Sequence, residues 1–123
     1  MGSTVTDEQI RTLAATAKPY SVVLLHWGPK RSMDGADAIE FEHQRRVVSL
    51  RAEGVIAVLC PVVSDTVAGV AIMTVSAEQA AEIMAADPAF APKCCAARYT
   101  HAMASPATPS PHVRSGPCRS EQG

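Results

Sequence analysis

Two stretches decide the fold: FEHQRRVVSLRAEGVIAVLCPVVSD (residues 41–65) and SAEQAAEIMAADPAFAP (76–92). In the first, Val47 and Leu50 continue an apolar helical stripe that begins at Ile39, and His43 falls near its middle. Gly54 stands where a helix closes in the left-handed conformation. VIAVLCPVV (55–63) then reads as a strand, and Ser64-Asp65-Thr66 as an acidic turn. The second stretch opens on a capping box, Ser76 with Gln79, and stops near Asp87-Pro88, because a residue before proline disfavours the α region.

Working outward, VAGVAIMTV (67–75) completes a hairpin with 55–63, and 95–103 makes a further strand. Upstream, YSVVLLH (20–26) is dense in β-branched and apolar residues and predicts the first strand. WGPKRSMDGAD (27–37) holds Gly28-Pro29 and Asp34-Gly35 and reads as a loop, followed by a helix over 36–53. A short helix over 6–17, capped by Thr6 and Gln9 and ended by Pro19, precedes everything. The order β-α-β-β-α-β predicts an α+β, ferredoxin-like subunit. Residues 1–18 form an N-terminal extension and 19–103 the folded domain. Residues 104–123, rich in Pro, Ser and Gly, are expected to be a disordered tail.

The runs 22–25, 55–60 and 70–73 are apolar almost without interruption, which predicts cover on both faces of the sheet. Two helices cover one face, and an apolar second face is too large to leave in water. A second copy packed sheet to sheet is the simplest cover and gives a homodimeric α+β barrel. The short N-terminal helix is the rival cover.

At 123 residues the chain holds one such domain, and a formal charge of −1 removes the electrostatic case for nucleic-acid binding. Arg45, Arg46 and Arg51 share their helix with Glu40, Glu42 and Glu53, which reads as a solvated face with local ion pairs. No apolar run approaches the ~20 residues of a membrane helix, and MGSTVTDEQI is too polar for a secretory signal. A cytoplasmic protein with no membrane partner is the expectation. Cys60, Cys94, Cys95 and Cys118 form no C-x-x-C and read as free thiols. His26, His43, His101 and His112 never occur at metal-ligand spacing, so no metal site is expected.

Residues for chemistry follow from this layout. His43, turned inward and partly desolvated, is the candidate acid–base group; the plainer reading is a core histidine held by one carbonyl. A carboxylate beside it would fix its tautomer, as in catalytic triads. Asp65 in the turn after the second strand and Asp87 at the end of the second long helix are the two candidates, each otherwise a turn or helix-ending residue. His26 and Trp27 end the first strand and are candidates for a pocket mouth, where the indole stacks on a flat substrate or plugs the barrel end. Arg31 is the candidate for an anionic substrate group, and Tyr99 and His101 alternate on one face of the last strand.

The ordered set formed by the apolar first strand, His43, Gly54, Cys60-Pro61 with Asp65, Gly69 and Ala86-Asp87-Pro88 resembles the YciI-like (YCII-related) family from about Tyr20 to Met103. The resemblance implies a ferredoxin-like subunit in a dimeric α+β barrel with a histidine–aspartate centre. His43 matches the family's helix histidine. Asp65 is the position onto which the aspartate is carried, and Asp87, in the family's Asp-Pro, is the alternative. One member is a dehydrochlorinase of a chlorinated hydroxyhydroquinone, which implies metal-free and cofactor-free elimination. The chain departs from the family at Cys60-Pro61, where Gly-Pro is usual, and at 91–95, where a glycine-rich stretch is replaced.

The resulting expectation is a cofactor-free lyase or isomerase acting on a small cyclic, phenolic or quinonoid molecule. His43 and Asp65 carry the chemistry, and His26, Trp27, Arg31, Asp87 and Tyr99 surround the substrate. A non-catalytic small-molecule binding or accessory protein is the alternative, and a haem-handling barrel with an axial histidine a third.

Overall fold

The computed structural model describes residues 4–105. The tail assigned to 104–123 and the thiol of Cys118 lie, from residue 106 on, outside the described residues. The chain divides into a compact unit over Lys18–Ala104 and a second unit that holds helix α1 (Asp7–Ala15). Thr6 caps α1 through the backbone N–H of Gln9, whose side chain returns the bond to the Thr6 N–H.

The compact unit runs β1 (Lys18–Trp27), α2 (Ala36–Ala52), β2 (Ile56–Pro61), β3 (Val67–Met73), α3 (Ala77–Ala85) and β4 (Cys95–Ala104). The sheet order is β2-β3-β1-β4 with every neighbour antiparallel. Each crossover helix therefore joins strands separated by one other strand. The architecture is α+β with a four-stranded antiparallel sheet, compatible with the ferredoxin-like order.

Local chemistry explains the boundaries. Ser76 accepts from the Gln79 N–H and starts α3. At the end of α2, Gly54 takes φ +83°, the Val55 N–H reaches the Leu50 carbonyl at 3.0 Å, and the Gly54 N–H reaches Arg51 at 3.1 Å. These are the two bonds of a Schellman closure. Pro19, expected to sit just past the first helix, is instead the second residue of β1. It is tolerated there because Lys18, Pro19 and Tyr20 pair with β4 only, the β3 ladder beginning at Ser21 opposite Met73. The strands expected over 55–63 and 67–75 are shorter, leaving residues 62–66 as the hairpin loop.

Burial along the strands alternates. Ser21, Val23 and Leu25 of β1 and Gly69, Ala71 and Met73 of β3 are buried, whereas Val22, Leu24, Val70 and Ile72 between them are half-buried. The buried apolar members of this set pack with Ile56, with Val47 of α2, and with Ala80 and Met84 of α3 into one core. Because side chains alternate across a sheet, the half-buried valines, leucine and isoleucine form a second apolar face, on the side away from α2 and α3.

Candidate functional site

Three of the residues on the α2 stripe reach the core as expected: His43 is 4 % exposed, Val47 is 2 % exposed, and Leu50 packs against the same cluster. Opposite His43 the chain leaving α3 turns sharply. Ala86 caps the helix, the Asp87 N–H bonds the Met84 carbonyl at 3.0 Å, and Pro88 prevents continuation. This turn buries Asp87 at 2 % exposure. His43 Nδ1 lies 2.9 Å from both Oδ1 and Oδ2 of Asp87, and Oδ1 also accepts the Ala89 N–H at 2.9 Å.

A carboxylate only accepts hydrogen bonds, so Nδ1 carries a proton and donates it to Asp87. Nε2 is left as the nitrogen that gains and loses a proton. Burial by itself pushes the imidazole pKa down. The hydrogen bond and charge of Asp87, helped by Glu40, outweigh burial and the opposing Arg46 charge, and the pKa is raised above its ordinary 6.5.

His43 lines a crevice of about 20 Å³ with Glu40, Gln44, Leu25, Pro61, Gly69 and Cys95 among its walls. That is room for one water. Glu40 also lines a larger pocket of about 570 Å³ at the start of α2, together with Trp27, Arg31, Asp34, Asp37 and Cys94. This volume suits a small organic molecule. The Trp27 indole N–H donates to the Ser64 carbonyl at 3.0 Å, and the Arg31 guanidinium stacks 4.1 Å from the indole centroid. Arg31 Nη1 also donates to the Asp65 carbonyl at 3.3 Å, which ties the 28–35 loop to the hairpin loop.

Gly28 makes the pocket wall possible. A Cβ at this position would lie 2.1 Å from the Lys93 carbonyl oxygen, and the Gly28 N–H donates to Cys94 O at 2.7 Å. Lys93 itself takes φ +66°, so this junction of two loops is tight on both sides.

The carboxylate beside His43 is thus Asp87, the alternative position, and not Asp65, onto which the family aspartate was carried. Asp65 sits exposed in the hairpin loop and offers its backbone carbonyl, not its carboxylate, to Arg31. His26 is not brought to the pocket either. It alternates with Leu25, whose side the crevice uses, and it pairs with Ala96 on the other face. Its Nε2 is buried without a hydrogen-bond partner among the described residues. Tyr99 packs against the core, and burial with the nearby Asp87 charge raises its pKa. Cys95 is pushed up to about 11 by burial and by the charges of Glu40 and Asp87, which keeps it a thiol and poor as a nucleophile. Cys60, Cys94 and Cys95 are free. Among the described residues no group of His, Cys, Asp and Glu is arranged to hold a metal ion.

Two residues at this site were read from sequence as part of a solvated face. Glu40 and Arg46 stand at i−3 and i+3 from His43, which puts both on the histidine's side of α2. That spacing was the available signal. No helix among the described residues is long and apolar enough to cross a membrane. No protein-family model, curated protein or solved structure matches this chain.

Proposed function

We propose that this chain is a cofactor-free acid–base enzyme of lyase or isomerase type, working on a small cyclic molecule with acidic C–H or O–H protons, phenolic or quinonoid in class. The observation that carries the reading is the buried His43–Asp87 hydrogen bond, which assigns the Nδ1 proton and leaves Nε2 as the exchangeable position. In the forward step Nε2 takes a proton from the substrate. The electron pair released forms a new double bond while a leaving group departs or a distant atom is reprotonated. Asp87 stabilises the imidazolium formed, as the triad aspartate does. The substrate occupies the pocket lined by Trp27 and Arg31, and its reacting edge meets the His43 crevice beside Glu40.

The resemblance to the YciI-like family supports this reading, and with it a cytoplasmic homodimer closed into an α+β barrel. The half-buried face of Val22, Leu24, Val70 and Ile72 is the surface a second copy would cover. Size-exclusion chromatography tests the dimer, and a monomeric elution contradicts it.

The test of chemistry is turnover by His43→Gln on a substrate found by metabolite-library thermal shift and product analysis. General acid–base transfer contributes ~10²–10⁴-fold, so a loss in that range is expected. Full activity in the variant removes His43 from the reaction. A second reading, a non-catalytic small-molecule binding protein, is favoured by the small volume beside His43. It predicts ligand-raised thermal midpoints with no product by mass spectrometry.

A further inference from the structure

Arg46 is the one cation among the described residues that reaches the buried pair. Its Nη2 donates to the carbonyl of Ile83 near the end of α3. Its Nε is buried, has no hydrogen-bond partner among the described residues, and lies 3.9 Å from Asp87 Oδ2. That separation is too long for a hydrogen bond and short enough for a strong charge interaction in a site shielded from water. Asp87 keeps its oxygens for His43 Nδ1–H and the Ala89 N–H, and receives a positive field from Arg46 in addition.

We propose that Arg46 is a positioning residue for the His43–Asp87 pair: held on the α3 carbonyl, it fixes the carboxylate and offsets part of the negative field around His43. The role rests on the acid–base reading above. The groups facing the imidazole make the argument. Glu40 and Arg46 come from α2, Asp87 from the turn after α3, Cys95 from β4 and Cys60 from β2, with Tyr99 of β4 close to the carboxylate. Cys95 stays a neutral thiol. The fixed charges around His43 are then two carboxylates and one guanidinium. Without the guanidinium, two negative charges face one imidazole, the imidazolium is favoured further, and Nε2 is less often free to accept a proton at neutral pH.

The experiment is an NMR titration of the His43 ring in isotope-labelled protein, for the wild type, Arg46→Lys and Arg46→Met. Arg46→Met is expected to move the His43 midpoint to higher pH, and Arg46→Lys to hold it nearer the wild-type value. A purely structural role predicts lower thermal midpoints with the His43 titration unmoved in Arg46→Met, and that result overturns the proposal. Should Arg46→Met not fold, Arg46→Gln removes the charge while keeping a donor for Ile83, and the same shift is expected of it. An unmoved titration refutes the Arg46 role whatever His43→Gln does to turnover. Full turnover in His43→Gln with a shifted Arg46→Met titration instead removes His43 from the reaction and leaves the electrostatic arrangement standing.

Discussion

Two turns of this molecule each carry an aspartate, and their fates are opposite. In the hairpin loop after β2, Asp65 is exposed and gives only its backbone oxygen to Arg31. In the turn after α3, Asp87 is 2 % exposed, holds a histidine with both oxygens, and closes its own loop through Ala89. The residue type is the same, and each aspartate follows the end of an element. The difference comes from what packs on top: α2 lies over the second turn and brings an imidazole 44 positions away in sequence to its carboxylate. A buried carboxylate persists only with partners to replace its lost water, and only one of the two turns supplies them.

Exchanging each aspartate for alanine is the sharpest way to break this comparison. Asp87→Ala removes one partner of a buried pair and an intraloop acceptor, and is expected to lower stability by about 3 kcal/mol or more by urea denaturation. Asp65→Ala is expected to stay within about 0.5 kcal/mol; equal losses in the two variants would erase the distinction. The junction that walls the larger pocket is next in size. Gly28→Ala puts a methyl against the Lys93 carbonyl and is expected to cost about 1–3 kcal/mol in the same assay, with the 89–95 amides shifting most in NMR spectra.

The pH dependence is a smaller effect with a definite sign. The folded-state pKa of His43 lies above its ordinary 6.5, so the pair's contribution is complete below that value and is lost as pH rises through the folded-state pKa. The stability gap between wild type and His43→Gln should therefore narrow as pH rises above 6.5. A gap that widens with pH contradicts the arrangement. Smallest of all, Asp65→Asn should leave both the His43 titration and the stability where they are.

What was legible in the sequence was local. The Ser76–Gln79 box, the Gly54 closure and the His43 stripe each involve residues of a single helix and its end, and the structure carries all three. The choice between Asp65 and Asp87 was not local. Both lie after an element end, and only the packing of α2 over the α3 turn separates them. Arg46 was hidden for a related reason. On α2 the residues Glu40, Glu42, Arg45, Arg46 and Arg51 all look like members of one mixed-charge, solvated face. Yet Arg45 and Glu42 form an exposed pair, whereas Arg46, its side chain 31 % exposed, faces inward. The near-continuous apolar runs of β1 and β3 made a second apolar face legible, with Val22 opposite Ile72 and Leu24 opposite Val70.

The bond from the Ala89 amide to Asp87 has an evolutionary consequence. One carboxylate both steers an imidazole and staples the loop that leads into β4. Selection for a folded chain would thus retain the aspartate and, because a buried carboxylate needs its partner, the imidazole beside it, whatever the pocket does.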